Sequence, residues 1–238
     1  MSAFLYGVVL QAKLDIRSKS LLITCYVVPL LFFVMIGGMF TSLLPESRDT
    51  LIPSMTTMGI SMGALIGVPP SLSEIYGSDI RNVYKANGVP LFLGLAIVFL
   101  SALLHLLLMS AILCAAAPLI FHAALPENLP LYFVRLALFI TVSLSVGSVL
   151  GLTIKNQAKL TMLSQLVFLP SIMLSGILFS SEFLPQPLQI IGKIFPATWG
   201  YRLLLSDGTS FHDLWPLLVI LAVTTVLCGF LCKKMKTA

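Results

Sequence analysis

Long uncharged stretches alternate with short polar ones along this chain. Five stretches of 19 to 28 residues carry no formal charge, at residues 21–40, 51–72, 90–117, 160–181 and 214–232. About 20 apolar residues in a helix cross the hydrocarbon core of a bilayer. A sixth stretch, residues 131–154, has one charge near its start, Arg135. The pattern therefore predicts six transmembrane helices.

The composition agrees with this pattern. Of the 238 residues, 58% are hydrophobic and 10% are charged, whereas a soluble domain carries roughly 25% charged residues. A helix satisfies its own backbone hydrogen bonds in lipid, and the strands of membrane barrels are much shorter than these stretches. We therefore expect an all-α integral membrane protein.

The basic residues fall mainly on one side of the predicted membrane. One side holds ten of them: Lys13, Arg17, Lys19, Arg81, Lys85, Lys155, Lys159, Lys233, Lys234 and Lys236. The other side holds four: Arg48, Arg135, Lys193 and Arg202. Because Lys and Arg are enriched in cytoplasmic loops, the first side is predicted to be cytoplasmic, with both termini. The positive net charge is then a topology signal in a multi-pass protein of the cell membrane, and it requires no nucleic acid partner.

Residues 1–20 precede the first predicted span. Apolar residues recur there at roughly helical spacing, at Phe4, Leu5, Val8, Val9, Ala12 and Ile16. This spacing, with basic residues towards the end, predicts an interfacial amphipathic helix on the inner leaflet. A frayed N-terminal tail is the alternative.

A stripe of glycines marks the second predicted span. Gly59, Gly63 and Gly67 are spaced by four residues, so they share one face of a helix. Such a face lets another helix approach closely. We expect helix packing within the subunit, with a dimer interface as the alternative.

Residues 182–213, between the fifth and sixth spans, are too polar and proline-broken to cross the membrane and too apolar for a free loop. We interpret them as an extracellular re-entrant hairpin of short helices, which must be covered by protein or line a cavity. The residues that mark it are Pro185, Pro196, Trp199, Tyr201 and Arg202. Its tryptophan and tyrosine suit the headgroup level.

The sequence lacks the motifs of the common enzyme classes. It contains no phosphate-binding Gly-x-x-x-x-Gly-Lys-Ser/Thr loop and no His-Glu-x-x-His. Its Gly-x-Ser-x-Gly match, Gly59 to Gly63, lies inside a predicted span and not at the strand-to-helix turn that such a nucleophile needs. The five uncharged spans also hold no carboxylate of the kind that proton- or sodium-coupled carriers usually need. We therefore expect no enzymatic activity, no metal site and no cofactor in this chain.

Two polar side chains in predicted spans remain. His105 is expected to form a hydrogen bond between helices, with a proton relay as the alternative. Arg135 is close enough to the outer surface to extend towards it. The alternative for Arg135 is contact with an anionic lipid or substrate.

The stretch "SEIYGSDIRNVYKANGVP", residues 73–90, is the most polar part of the first half of the chain. It combines charged residues with an apolar ridge at near-helical spacing, which is what a compact docking site needs. We expect a short cytoplasmic helix in residues 73–89 that binds a partner, with a solvated loop as the alternative. The residues predicted to make that contact are Glu74, Ile75, Tyr76, Gly77, Asp79, Arg81 and Tyr84.

These features resemble the permease subunits of ABC-2 type transporters. The local signs are Glu74 followed by Gly77-Ser78 ahead of Pro90, and the stretch "LPQPLQIIGKIFPATWGYRLL". The resemblance covers nearly the whole chain and implies a single ABC-2 type transmembrane domain over residues 1–238. In this reading residues 73–89 are the coupling helix.

The resemblance implies a dimer, with an identical or a related permease, bound to two copies of a separately encoded ABC ATPase. ATP and Mg would then bind to the ATPase. The implied function is export of a drug, antimicrobial peptide or lipid, and the scarcity of polar residues in the spans favours a lipophilic or amphipathic substrate. A secondary carrier and a non-transporting assembly or sensor protein are the alternatives.

Overall fold

The chain folds into a bundle of helices. The computed structural model describes residues 3–77, 83–84, 86–178, 181–206 and 211–237. In this part of the chain the structure is 87% helical and contains no strands. The predicted all-α class is confirmed.

Nine helices of seven or more residues make up the described part of the bundle. In chain order they are α1 (Ala3–Arg17), α2 (Ile23–Leu43), α3 (Leu51–Gly77), α4 (Leu91–Phe121), α5 (Leu129–Thr153), α6 (Gln157–Met173), α7 (Gln186–Gly192), α8 (Pro196–Leu205) and α9 (Phe211–Thr237). One turn within α2, Ile23–Val27, and one within α3, Gly63–Gly67, are π-helical.

Five of these helices, α2, α3, α4, α5 and α9, are long and apolar enough to cross a membrane. The predicted fifth span corresponds to α6, which has 17 residues and ends at Met173 rather than near residue 181. Gly176 follows with a φ of 89°, a left-handed conformation that does not continue a helix and that glycine adopts without strain. The described structure thus has five candidate spans, and the count of six stays a prediction.

Helix α3 occupies the centre of the bundle. In its most apolar 18-residue window 89% of the residues are buried, against 22% for α2 and for α9. Helices α2, α4, α5, α6 and α8 surround it. The outer helices α2 and α9 leave wide apolar faces uncovered by this chain.

Helices α3 and α5 approach backbone to backbone through glycines of α5. A Cβ atom added at Gly151 would lie 2.7 Å from the carbonyl oxygen of Pro69, and one at Gly147 would overlap the carbonyl oxygen of Ala64. Gly147 and Gly151 are also spaced by four residues, as small residues at membrane helix interfaces often are. This second glycine stripe was not predicted from the sequence.

Helix α1 packs against α4 and turns a polar residue inward. Val8 and Asp15 are buried, and the Asp15 carboxylate accepts hydrogen bonds from Ser101 Oγ and Gln11 Nε2. Of the apolar residues predicted to form one face, Phe4, Leu5, Val9 and Ile16 are exposed. The carboxylate turns inward because the protein supplies hydrogen-bond donors there and lipid does not. The placement of α1 on a leaflet stays a prediction.

Candidate functional site

The predicted partner-binding segment begins at the inner end of α3. Glu74 and Gly77 are exposed there, and Ile75 is half-buried. Asp79 and Arg81 lie outside the described residues. The role of this segment in partner binding stays a prediction.

The two tyrosines predicted to contact a partner, Tyr76 and Tyr84, pack back onto the start of α4. Tyr76 is only 3% exposed, and its hydroxyl donates a hydrogen bond to the carbonyl oxygen of Leu91. A Cβ atom added at Gly94 would lie 3.0 Å from Tyr84 Cε2 and 3.3 Å from the Tyr76 hydroxyl. Tyr76 therefore joins α3 to α4, because its ring is apolar and its buried hydroxyl needs an acceptor. In this structure Tyr76 is not accessible to a partner, and its contact with a partner stays a prediction. Tyr84 is half-buried.

The inner end of α3 is also tied to the connection between α5 and α6. Ser73 Oγ donates to the carbonyl oxygen of Ile154 at 2.9 Å, and Gln157 Nε2 donates to that of Pro70 at 3.3 Å. The segment that leaves α3 is thus attached, within two turns, to α4, to the end of α5 and to α6.

The first glycine stripe packs inside the subunit. A Cβ atom added at Gly59 would lie 2.6 Å from Met109 Cε, and one at Gly67 would lie 2.9 Å from Cys25 Sγ. Gly63 faces the side chain of Leu106 and is likewise buried. The three glycines therefore pack α3 against α2 and α4, which supports the expected packing within the subunit over a dimer interface.

The segment between α6 and α9 contains two short helices, which begin at the two prolines that mark this segment in the sequence. Pro185 precedes α7, and Pro196 is the first residue of α8, a position where a missing N–H costs nothing. Gly200 of α8 lies directly on the ring of Phe139, which brings α8 against α5. A re-entrant course of this segment through the membrane stays a prediction.

The aromatic residues of α8 face the protein interior. Trp199 and Tyr201 are 8% and 9% exposed, and their position at the headgroup level stays a prediction. Trp199 Nε1 donates to the carbonyl oxygen of Lys193 at 2.7 Å, and the Arg202 guanidinium carbon lies 5.5 Å from the centre of its ring. Burial raises the pKa of the Tyr201 hydroxyl, and hydrogen bonds with Ser54 and Thr50 partly offset this rise. The hydrogen bonds explain the burial, because each aromatic side chain finds a polar partner within the chain.

Arg135 of α5 is buried, at 6% exposed, rather than extended to the surface. Its Nη1 donates to the carbonyl oxygens of Ser206 and Leu203 at the end of α8. It lines a cavity of about 440 Å³. The other lining residues are Asp49, Pro53, Ala124, Leu125, Pro126, Glu127, Asn128, Leu131, Tyr132, Leu204, Leu205 and Ser206. This cavity was not predicted from the sequence, although an arginine within an apolar span was a signal for it.

Within the described ranges, no group of three or more His, Cys, Asp or Glu side chains is placed to hold a metal ion.

A family model of ABC-2 type transporters matches residues 4–207, which include α2 to α8 and all of α1 except its first residue. This chain belongs to the ABC-2 type transporter family. As a member of that family, with its apolar helices, it is a multi-pass membrane protein and a permease. ABC-2 permeases generally work with an ATPase subunit and form dimers. No curated protein and no solved structure matches the chain.

Proposed function

We propose that this chain is the membrane subunit of an ATP-driven ABC-2 exporter. Two copies of a separately encoded ATPase supply the energy and hold the ATP and Mg, and the cargo is a lipophilic or amphipathic molecule moved outward. The observation that carries the proposal is the family match over residues 4–207. The segment 73–89 is the proposed contact with the ATPase.

The burial pattern divides that segment into a contacting part and an anchoring part. Glu74 is exposed and Val83 is 56% exposed, so both are available to a partner. Asp79 and Arg81 lie between them in sequence and add charges of both signs. Tyr76 and Tyr84 pack on α4 instead and anchor the segment to the membrane helices.

The anchoring contacts give a path by which ATPase movement reaches the spans. A displacement of the segment pulls on Leu91 of α4 through the Tyr76 hydroxyl, and on Ile154 at the end of α5 through Ser73. Because packed helices move as rigid bodies, α3, α4 and α5 are expected to shift together.

The proposed dimer uses the faces that the chain leaves bare. Helices α2 and α9 are the least covered spans, and a second permease, identical or related, is proposed to cover part of one of them.

The experiment distinguishes a loss of ATPase binding from a loss of coupling between ATP hydrolysis and transport. Glu74→Ala combined with Val83→Ala is expected to reduce copurification of the proposed partner ATPase, by about tenfold in affinity. Tyr76→Phe is expected to keep ATPase binding and to lower transport per ATP hydrolysed, because it removes the hydrogen bond to Leu91. Lys159→Gln, an exposed change in the α5–α6 region, is the control. Unchanged binding and transport in the double variant would contradict the proposed contact.

A further inference from the structure

The cavity that contains Arg135 lies where several helix ends meet. Its walls come from the start of α3, the start of α5, the end of α8 and the connection at residues 124–128. The carbonyl oxygen of Arg48 accepts from the backbone N–H of Ala124 at 3.3 Å, which joins that connection to the loop before α3. Arg135 lies six residues into α5, or about 9 Å along its axis from Leu129. The cavity therefore opens near one membrane face and reaches below it.

The guanidinium of Arg135 is only partly satisfied. Nη1 holds the end of α8, but Nε and Nη2 have no hydrogen-bond partner among the residues that the structure describes. A buried charge without partners is costly, and an unsatisfied buried group in a native structure calls for a missing partner. Nε and Nη2 form one edge of the guanidinium plane, and such an edge donates two parallel hydrogen bonds to a phosphate or carboxylate.

Two carboxylates stand at the rim of the same cavity. Asp49 and Glu127 line it and are exposed. In the described structure, neither forms an ion pair with Arg135 within 4 Å. The cavity thus holds a positive charge at its floor and negative charges at its mouth, without direct contact between them.

We propose that this cavity binds a zwitterionic aminophosphate headgroup of the phosphoethanolamine type. The phosphate accepts from the free edge of Arg135, and the ammonium group lies at Asp49 and Glu127. A simple anion would be repelled by the rim, and a simple cation by the floor, so the charge pattern favours a ligand that carries both. The volume of about 440 Å³ is within the range of small-molecule sites.

The apolar lining favours a lipid as the source of this headgroup. Leu131, Leu204 and Leu205 line the cavity beside the polar groups, and they suit the glycerol and first acyl carbons of a phospholipid. Free phosphoethanolamine shares the headgroup chemistry but makes no use of these side chains. Because binding is measured without ATPase or transport, the inference is independent of the exporter proposal.

The test is ligand binding to the purified full-length chain in detergent, by titration with three probes: dihexanoyl phosphatidylethanolamine, dihexanoyl phosphatidylglycerol and free phosphoethanolamine. We expect the ethanolamine lipid to bind more tightly than the glycerol lipid. Tighter binding of the lipid than of free phosphoethanolamine identifies a lipid ligand, and equal binding identifies the free zwitterion. No saturable binding of either ethanolamine probe, or equal binding of the two lipids, would overturn the proposal.

Variants of Arg135 and of the two carboxylates test which protein charge contacts which part of the headgroup. Arg135→Gln is expected to weaken binding of the ethanolamine lipid by about tenfold or more, and Arg135→Lys by less. Because Arg135 also holds the end of α8, these variants are compared with Asp49→Asn/Glu127→Gln, which changes only exposed side chains. That double variant is expected to remove the preference for ethanolamine over glycerol, whereas Glu46→Gln, an exposed carboxylate outside the lining, should keep it. A preference that survives the double variant would contradict the proposal.

Asp207 follows Ser206 in the sequence and lies outside the described residues. If its carboxylate occupied the free edge of Arg135, Asp207→Asn would create phosphate binding that the wild type lacks. That result would also overturn the proposal. Wild-type binding that persists in Asp207→Asn supports it.

Discussion

The hydroxyl oxygen of Tyr26 lies 2.7 Å from Nδ1 of His105 and joins α2 to α4. The two rings meet edge to face, with centres 5.9 Å apart. The expectation that His105 makes a hydrogen bond between helices is confirmed. Its Nε2 has no partner within the described ranges, so this part of the structure shows no chain of groups leading away from it.

The Tyr26–His105 contact predicts a small but measurable coupling energy. Hydrogen bonds between membrane helices contribute about 0.6 kcal/mol on average. His105→Asn, which keeps a hydrogen-bonding group, is expected to cost less stability than His105→Leu. A double-mutant cycle of Tyr26→Phe and His105→Leu, followed by denaturation in mixed micelles, measures the coupling directly. Strict additivity of the two single changes would contradict an energetic role for this contact.

The close approach of α3 and α5 predicts a strong effect of a single methyl group. Gly147→Ala is expected to lower the free energy of unfolding by about 1–3 kcal/mol, because its Cβ would overlap the Ala64 carbonyl oxygen. Gly229→Ala in α9 is the matched control, since a Cβ there meets nothing within 4 Å. The control should be neutral or slightly stabilising, because alanine is the better helix former. Equal thermal stability of the two variants would show that α3 and α5 do not meet as described.

The distribution of Lys and Arg predicts the sidedness of two exposed positions. In a cysteine-free background, a cysteine at residue 186 is expected to react with an impermeant thiol reagent applied to intact cells. A cysteine at residue 157 is expected to react only after the membrane is opened, because the side with ten basic residues is predicted to be cytoplasmic. Both positions are exposed in the structure, so burial does not confuse the comparison. Labelling of residue 157 but not of residue 186 in intact cells would contradict the predicted topology.

The source of energy gives a further prediction. Transport is expected to continue when an uncoupler collapses the proton gradient at constant ATP, because the predicted uncharged spans contain no carboxylate. Asp15 carries a buried carboxylate outside those spans, and it accepts a hydrogen bond from Ser101 of α4. Asp15 is therefore the group to test for a role in proton coupling. Asp15→Asn is therefore expected to loosen α1 and to leave the uncoupler response unchanged. Transport abolished by the uncoupler in the wild type would favour a carrier mechanism.

The sequence predicted the elements of this fold better than the partners of their side chains. Uncharged length and the proline positions located the apolar helices and the starts of α7 and α8, because both depend on local chemistry. The inward turn of Tyr76, the burial of Trp199 and the position of Arg135 depend on which helices become neighbours. No local pattern in the sequence specifies such contacts. The sequence around Tyr76 is compatible with a docking residue and with a core residue, and only the neighbouring Leu91 distinguishes the two.

The π-helical turn at Gly63–Gly67 sets the rotational phase of the inner half of α3. A regular α-helix advances by about 100° per residue, and one extra residue in a wide turn rotates everything beyond it by about that amount. In the observed phase Gly63 and Gly67 both face Cys25 Sγ, and Tyr76 faces the Leu91 carbonyl. Removal of one residue from this turn would leave the helix intact and rotate Tyr76, with the segment that follows it, away from α4.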